Sequence, residues 1–80
     1  MREIKENAIY RHFKGNVYKV LYIANDSENN DKDGKPSKMV VYKSNHDGQV
    51  WVRPYDMFAS KVDTQKYPNA EQEYRFEEVD

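Results

Sequence analysis

Short runs of aromatic and β-branched residues recur along this chain between clusters of turn formers, a pattern that predicts strands. Ile9 to Lys14 alternates and stops at Gly15-Asn16, a turn signal. Val17 to Ala24 is the most apolar run. Tyr18, Val20, Tyr22 and Ala24 fall on one face and Val17, Lys19, Leu21 and Ile23 on the other, so much of both faces is expected to be covered. Asn25 to Lys38 (NDSENNDKDGKPSK) is polar throughout and holds Gly34 and Pro36, which predicts a long loop at a hairpin end. Strand character resumes from Met39 to Asn45. Asp47-Gly48 then predicts a tight turn into a strand from Gln49 to Arg53, ended by Pro54, which cannot donate to a ladder.

Tyr55 to Ser60 suits one helical turn, with Met57 and Phe58 expected to point inward. Val62 to Gln72 is weakly patterned and interrupted by Pro68, and Tyr74 to Val79 (YRFEEV) alternates as a last strand. No repeat or second domain is visible. Residues 1–80 read as one domain, with an ordered core over about 9–79 and the polar loop at 25–38. Five short strands in so short a chain must curl to protect their edges. The predicted class is all-β: a small five-stranded SH3-like barrel with a short helical turn.

The stretch GQVWVRPYDMF, Gly48 to Phe58, sharpens that picture. A period of two puts Val50 and Val52 on one face and Trp51 and Arg53 on the other. The valines are the expected core pair, which leaves the indole and the guanidinium side by side on the outer surface or in a groove. An indole offers a stacking face, and a guanidinium offers a rigid fork for carboxylate or phosphate. The alternative is structural: Trp51 plugs the open end of the barrel and Arg53 pairs with an acid such as Glu28.

Composition narrows the functions available. The chain has 80 residues, and a domain of that size buries only roughly 60% of its unfolded surface. It contains no cysteine, which excludes a disulfide framework, a thiolate metal site and a cysteine nucleophile, and fits a reducing cytoplasm. The longest apolar run, Val20 to Ala24, is far too short for a membrane span, and the charged start (MREIKE) does not resemble a secretory signal. A soluble, cytoplasmic chain is expected.

The formal net charge of -1 argues against a general nucleic-acid binder. The charge is unevenly spread, however: residues 1–19 carry a net +3 and residues 63–80 a net -4. Either the two ends attract each other as solvated faces, or the first segment forms a local basic face.

Candidate chemistry is sparse. Asn29-x-Asp31-x-Asp33-Gly34 copies the first half of a calcium loop, but the twelfth position, which needs a bidentate glutamate, is Val40. His12 and His46 are the two histidines, and neither has a partner at ligand spacing. His46 reads as a turn residue. His12, between Tyr10 and Lys14 on one strand face, is either a packed structural group or part of a site. No serine sits in a nucleophile elbow, and the three glycines make no phosphate-cradling loop. Arg75, between Tyr74 and Phe76, is either a salt-bridge partner or a second cation for the same site.

Taken in order, YRHFKGNVYKVLYIANDSEN (10–29), MVVYKS (39–44), VWVRPYDMF (50–58) and YRFEEV (74–79) resemble the family of unknown function numbered 1653. These are short, mostly bacterial proteins with Tyr-x-His-Phe-Lys-Gly, Ser-Glu, Trp-x-Arg-Pro and Arg-Phe motifs. The resemblance implies a compact β-rich domain in a bacterial cytoplasm and supplies no activity. The loop after Ser27-Glu28 and the segment before Tyr74 are longer here than in that pattern. Laid on this chain, the pattern picks out Tyr10, His12, Ser27, Glu28, Trp51, Arg53 and Arg75 as candidate ligand-binding residues.

The expectation is therefore a non-catalytic binding module without cofactor or metal, either monomer or weak homodimer. Its groove would take a peptide, an anionic small molecule or a nucleic-acid segment. Arg53 and Arg75 would meet an anionic group, and Trp51 or Tyr10 would stack on a planar one. The rivals are a small enzyme or nucleotide-processing accessory using His12 and Glu28 as an acid–base pair, and a protein–protein adaptor with exposed aromatic anchors.

Overall fold

The computed structural model describes residues 2–79. Its strands are β1 (Ile9–His12), β2 (Val17–Asn30), β3 (Pro36–Ser44), β4 (Val50–Pro54) and β5 (Phe76–Val79), with one helical turn, α1 (Tyr55–Phe58), between β4 and β5. All pairings are antiparallel, in a single sheet of order β4-β3-β2-β1-β5. The fold is mostly β, as the alternation predicts.

The five antiparallel strands of the expectation are present, in a sheet that is not closed. β4 and β5 are the two edges, and no ladder joins them among the described residues. Pro54 ends β4, and the chain then spends residues 55–75 filling the gap instead of bridging it with strand. Part of that filling is a small antiparallel contact. Arg75 N–H donates to Ser60 O (2.9 Å), Val62 N–H donates to Glu73 O (2.9 Å), and Lys61 bridges to Tyr74.

The segment expected as a loop at 25–38 is largely strand. β2 runs to Asn30 and β3 starts at Pro36, which makes a long hairpin arm. Only Asp31 to Lys35 forms the turn. The Asp31 carboxylate accepts from the N–H groups of Asp33 (2.9 Å) and Lys35 (3.0 Å), and Gly34 takes a φ of 81°. Polar composition signalled exposure here, and exposure is compatible with a strand that leaves the body of the sheet.

A bulge between Val20 and Tyr22 reverses the faces of β2. Before it, Tyr18 and Val20 face the core. After it, Ile23 packs inward, while Tyr22 turns out and is 64% exposed. The single face expected for Tyr18, Val20, Tyr22 and Ala24 is thus split by one extra residue.

β4 is turned over relative to expectation. Its register places Trp51 opposite Tyr42 and Arg53 opposite Val40, and Val40, Tyr42 and Ser44 are all buried. Directly paired residues share a face, so Trp51 and Arg53 lie on the core side. Val50 and Val52 lie on the outer side, 58% and 60% exposed. The turn forces this arrangement: Ser44 N–H donates to Gln49 O (2.9 Å), and Lys43, opposite Val50, must keep its ammonium in water. Burying the valines would need a one-residue slip of β4, which would break the present pairing of Trp51 with Tyr42 and Arg53 with Val40. The outer face consequently carries the row Tyr22–Val41–Val52 across three strands.

The core centres on Phe58 and Phe76, stacked with ring centroids 3.9 Å apart and planes 5° from parallel. Tyr10, Tyr18 and Tyr42 meet these rings edge-on. Of the two residues expected inward from α1, Phe58 is buried and Met57 is exposed. The segment before β1 closes the assembly. Ile4 is buried, its N–H donates to the Tyr55 hydroxyl (2.7 Å), and the Arg2 guanidinium donates to Phe76 O and Ala59 O and lies 4.1 Å above the Tyr74 ring.

Replacing Phe76 by alanine should cost about 3–5 kcal/mol in urea denaturation, enough to unfold a chain of this size. Val52→Thr should stay within about 0.5 kcal/mol. A costly Val52→Thr would return the valines to the core.

Candidate functional site

Four chain segments meet at the seam between the two sheet edges and form a cleft of about 310 Å³. His12 ends β1, Phe13 and Lys14 belong to the β1–β2 turn, Arg53 sits near the end of β4, and Arg75 precedes β5; Val62, Asp63, Lys66 and Tyr67 supply the remaining wall. Each is placed by local structure. Phe13 N–H donates to Arg75 O (2.9 Å), tying the turn to the start of β5. The Asp63 carboxylate accepts from the N–H groups of Gln65 (3.0 Å) and Lys66 (3.3 Å), and Tyr67 N–H reaches Asp63 O (2.8 Å). This capped turn holds Lys66 and Tyr67 toward the cleft.

Arg53 faces inward, with its guanidinium 5.4 Å from the centroid of the Phe76 ring. Arg75 donates through Nε to Ser60 Oγ (3.2 Å), and Ser60 in turn donates to Met57 O (2.6 Å). Lys14 and Lys66 both lie near the Tyr67 ring, at 5.2 and 5.5 Å from its centroid. Among the described residues, none of these four cations takes part in an ion pair; the two salt bridges are Lys5–Glu78 and Lys61–Glu73. Asp63 is the one carboxylate in the lining among the described residues, and its Oδ1 is engaged by the turn.

The field is visible in the titrating groups. Burial first, then the charges of Arg53, Arg75 and Lys14, lower the pKa of His12 to about 4. Its Nδ1 accepts from the Lys14 N–H (3.1 Å), so at neutral pH the imidazole is uncharged with its proton on Nε2. The contact of the Lys14 side chain with the hydroxyl, helped by the charges of Lys14 and Lys66, holds the Tyr67 phenol below its ordinary value. Such an arrangement can bind an anion. It offers no poised acid–base pair.

The structure brings together His12, Arg53 and Arg75 of the residues singled out in the sequence. Trp51 is two positions along β4 on the same face as Arg53 and half exposed, outside the cleft lining. Tyr10 is corrected: its ring is buried against Phe58 and its hydroxyl accepts from Lys5 N–H (2.9 Å), so it cannot stack on a ligand.

Ser27 and Glu28 are not brought to this cleft. They lie exposed in the irregular stretch of β2 between Asn25 and Asn30, where the Asp26 carboxylate accepts from Glu28 N–H (2.8 Å). His12 joins the sheet beside Asn16, just before β2 (Val17–Asn30), while Glu28 lies near the far end of that strand, and neither His12 nor Arg53 forms a salt bridge with it. That removes both the His12–Glu28 acid–base pair and the Arg53–Glu28 ion pair.

The basic residues of the first segment are put to different uses. Lys5 pairs with Glu78 (3.5 Å), joining the two ends, while Lys14 belongs to the cationic cleft. Sequence reasoning missed Lys14, Lys66, Tyr67 and Phe13 as cleft residues. Lys14 lay beside His12 and carried a readable signal, but Lys66 and Tyr67 sit in an unpatterned segment.

Another depression, of about 330 Å³, lies under the hairpin arm between Asp31, Ser37, Lys38, Pro54, Tyr55 and Asp56. Its lining sets Asp31 and Asp56 against Lys38, without the gathering of like charge found at the seam. Among the described residues no group of acidic or histidine side chains could hold a metal ion, and no helix is long and apolar enough to cross a membrane.

The fold and cleft define a small, open-sheeted β domain with an unpaired cationic seam. Residues 8–78 match the family described as Protein of unknown function (DUF1653), and the chain belongs to that family. No curated protein and no solved structure matches it.

The His12 pKa gives a testable pH dependence. Below its ordinary value of 6.5 the unfolded chain takes up a proton that the folded chain refuses until about pH 4. Stability contributed by the neutral ring is therefore full above pH 6.5, falls as the pH drops toward 4, and levels off below that. His12→Phe should flatten this part of the stability profile, and an NMR titration of His12 giving a value near 6.5 would contradict the described environment.

Proposed function

We propose that the chain is a cytoplasmic, non-catalytic binding module that takes an anionic ligand in the cleft between β4 and β5. The observation that carries this reading is the convergence of Lys14, Arg53, Lys66 and Arg75 with no ion-pair partner among the described residues. Like charges gathered at one place repel, and a protein with a net charge of -1 has acids enough to neutralise them. Leaving them unpaired costs stability and is repaid when an anion enters. Neutral His12 adds an N–H donor without adding to the repulsion. Half-exposed Trp51, on the same face as Arg53, offers a flat surface at the margin.

The strand order supports a finer reading of the architecture. A four-strand meander, a helical turn, and a fifth strand beside the first suggest an SH3-like barrel opened along one seam. The ligand would then sit where the barrel fails to close.

Titration with inorganic phosphate, followed by amide shifts and the His12 ring signals, tests the proposal. Shifts should concentrate at Lys14, Arg53, Lys66 and Arg75. The bound anion should raise the His12 pKa, because a nearby negative charge favours the imidazolium. Added sodium chloride should weaken binding by screening. Lys14→Ala with Lys66→Ala, both on exposed side chains, should reduce affinity about tenfold or more, two charge-assisted contacts being lost. Shifts confined to the outer face of the sheet, or unaffected by the double substitution, would overturn it.

A further inference from the structure

The cationic cleft does not stand alone. A second hollow of about 320 Å³ adjoins it, lined by Phe13, Lys66, Tyr67, Pro68, Asn69 and Ala70. Phe13, Lys66 and Tyr67 line both hollows. The second is a shelf of different character: two aromatic rings in edge contact (centroids 4.9 Å apart), a proline and an alanine, with Lys66 at the boundary. A ligand that filled both would carry its charge at one end and a flat, weakly polar group at the other.

The balance of charge selects among anions. Four cations face one carboxylate already engaged by the Asp63 turn, an excess of three. A single carboxylate would leave most of that excess uncompensated. A terminal phosphate carries about -1.5 to -2 at neutral pH, and an adjoining esterified phosphate adds about one more. Guanidinium forks match phosphate oxygens in geometry as well as in charge. The flat group follows from the shelf, because a planar heterocycle stacks on an aromatic face whatever its pattern of donors.

We infer that the ligand is a nucleoside diphosphate, or a compound of the same chemistry, with its phosphates among Arg53, Arg75, Lys14 and Lys66 and its base on the Phe13–Tyr67 shelf. The inference rests on the anion-binding reading above and adds the class of ligand to it. No covalent step is involved.

The test compares the affinities of ADP, pyrophosphate and the tricarboxylate citrate by calorimetry at one ionic strength. ADP should bind about tenfold or more tightly than pyrophosphate, a difference of the size one stacked base supplies, and pyrophosphate more tightly than citrate. Tyr67→Ala should bring ADP down to the level of pyrophosphate. Since Tyr67 also contacts Lys14, a second variant, Ala70→Gln, crowds the shelf from outside the cleft and should do the same with pyrophosphate binding unchanged. Equal affinity for ADP and pyrophosphate would overturn the base shelf and leave the anion cleft standing. Citrate binding as tightly as ADP would overturn the phosphate assignment alone. Failure of all three to bind would overturn the cleft reading and this inference together.

Discussion

Two phenylalanine rings lying flat against each other hold this small sheet in shape. Phe58 comes from the helical turn after β4, and Phe76 opens β5, so their contact ties the chain just past one edge strand to the other, where no ladder joins the edges among the described residues. A closed barrel would bring those edges together with backbone hydrogen bonds. Here the task falls to aromatic packing, worth about 0.5–1.5 kcal/mol beyond the area it buries, and to the N-terminal segment laid across it. The candidate site depends on the same pair. His12 meets Phe76 edge-on at 4.9 Å, and Arg53 lies over its ring. The seam is held near enough to make a cleft, and open enough to leave its cations in contact with solvent.

How much of this was legible follows from what alternation can and cannot carry. It located β1, β3, β4 and β5 to within a few residues, because period-two patterning with flanking Gly and Pro is a local property. It could not say which face of β4 turned inward. Both faces of VWVRP carry large groups, and the face is settled by register against β3, which sets Trp51 and Arg53 beside the buried Tyr42 and Val40. The bulge at Leu21 was equally silent, since an extra residue in a strand that is apolar on both sides leaves no trace in the pattern. The polar arm was read as loop for a related reason, as composition reports contact with water and not backbone geometry.

The candidate cleft was legible where a basic side chain or an imidazole stood beside aromatics in a strand-like run, which is how His12, Arg53 and Arg75 were singled out. Tyr10 carried the same outward signal, yet it is a core ring whose hydroxyl is satisfied by Lys5 N–H, because its neighbours on β2 and α1 bury it. Ser27 and Glu28 came from the family pattern and lie far along the arm, away from the seam. Lys66 and Tyr67 could be found only in three dimensions. Their position is set by the Asp63 cap and by the short pairing of Ser60–Val62 with residues 73–75, and neither leaves a periodic mark.

The hairpin arm has a consequence of its own. Beyond Asn25 the two strands add no residue to the buried core, and their end is sealed by a single aspartate-centred turn. Length in such a limb is nearly free. Residues can be gained or shed at its tip without disturbing a ring in the centre or a charge at the seam, and the irregularity between Asn25 and Asn30 can absorb an odd one. The limb is therefore the part of this chain where evolution can add reach, a new contact or a tether while the small body behind it stays as it is.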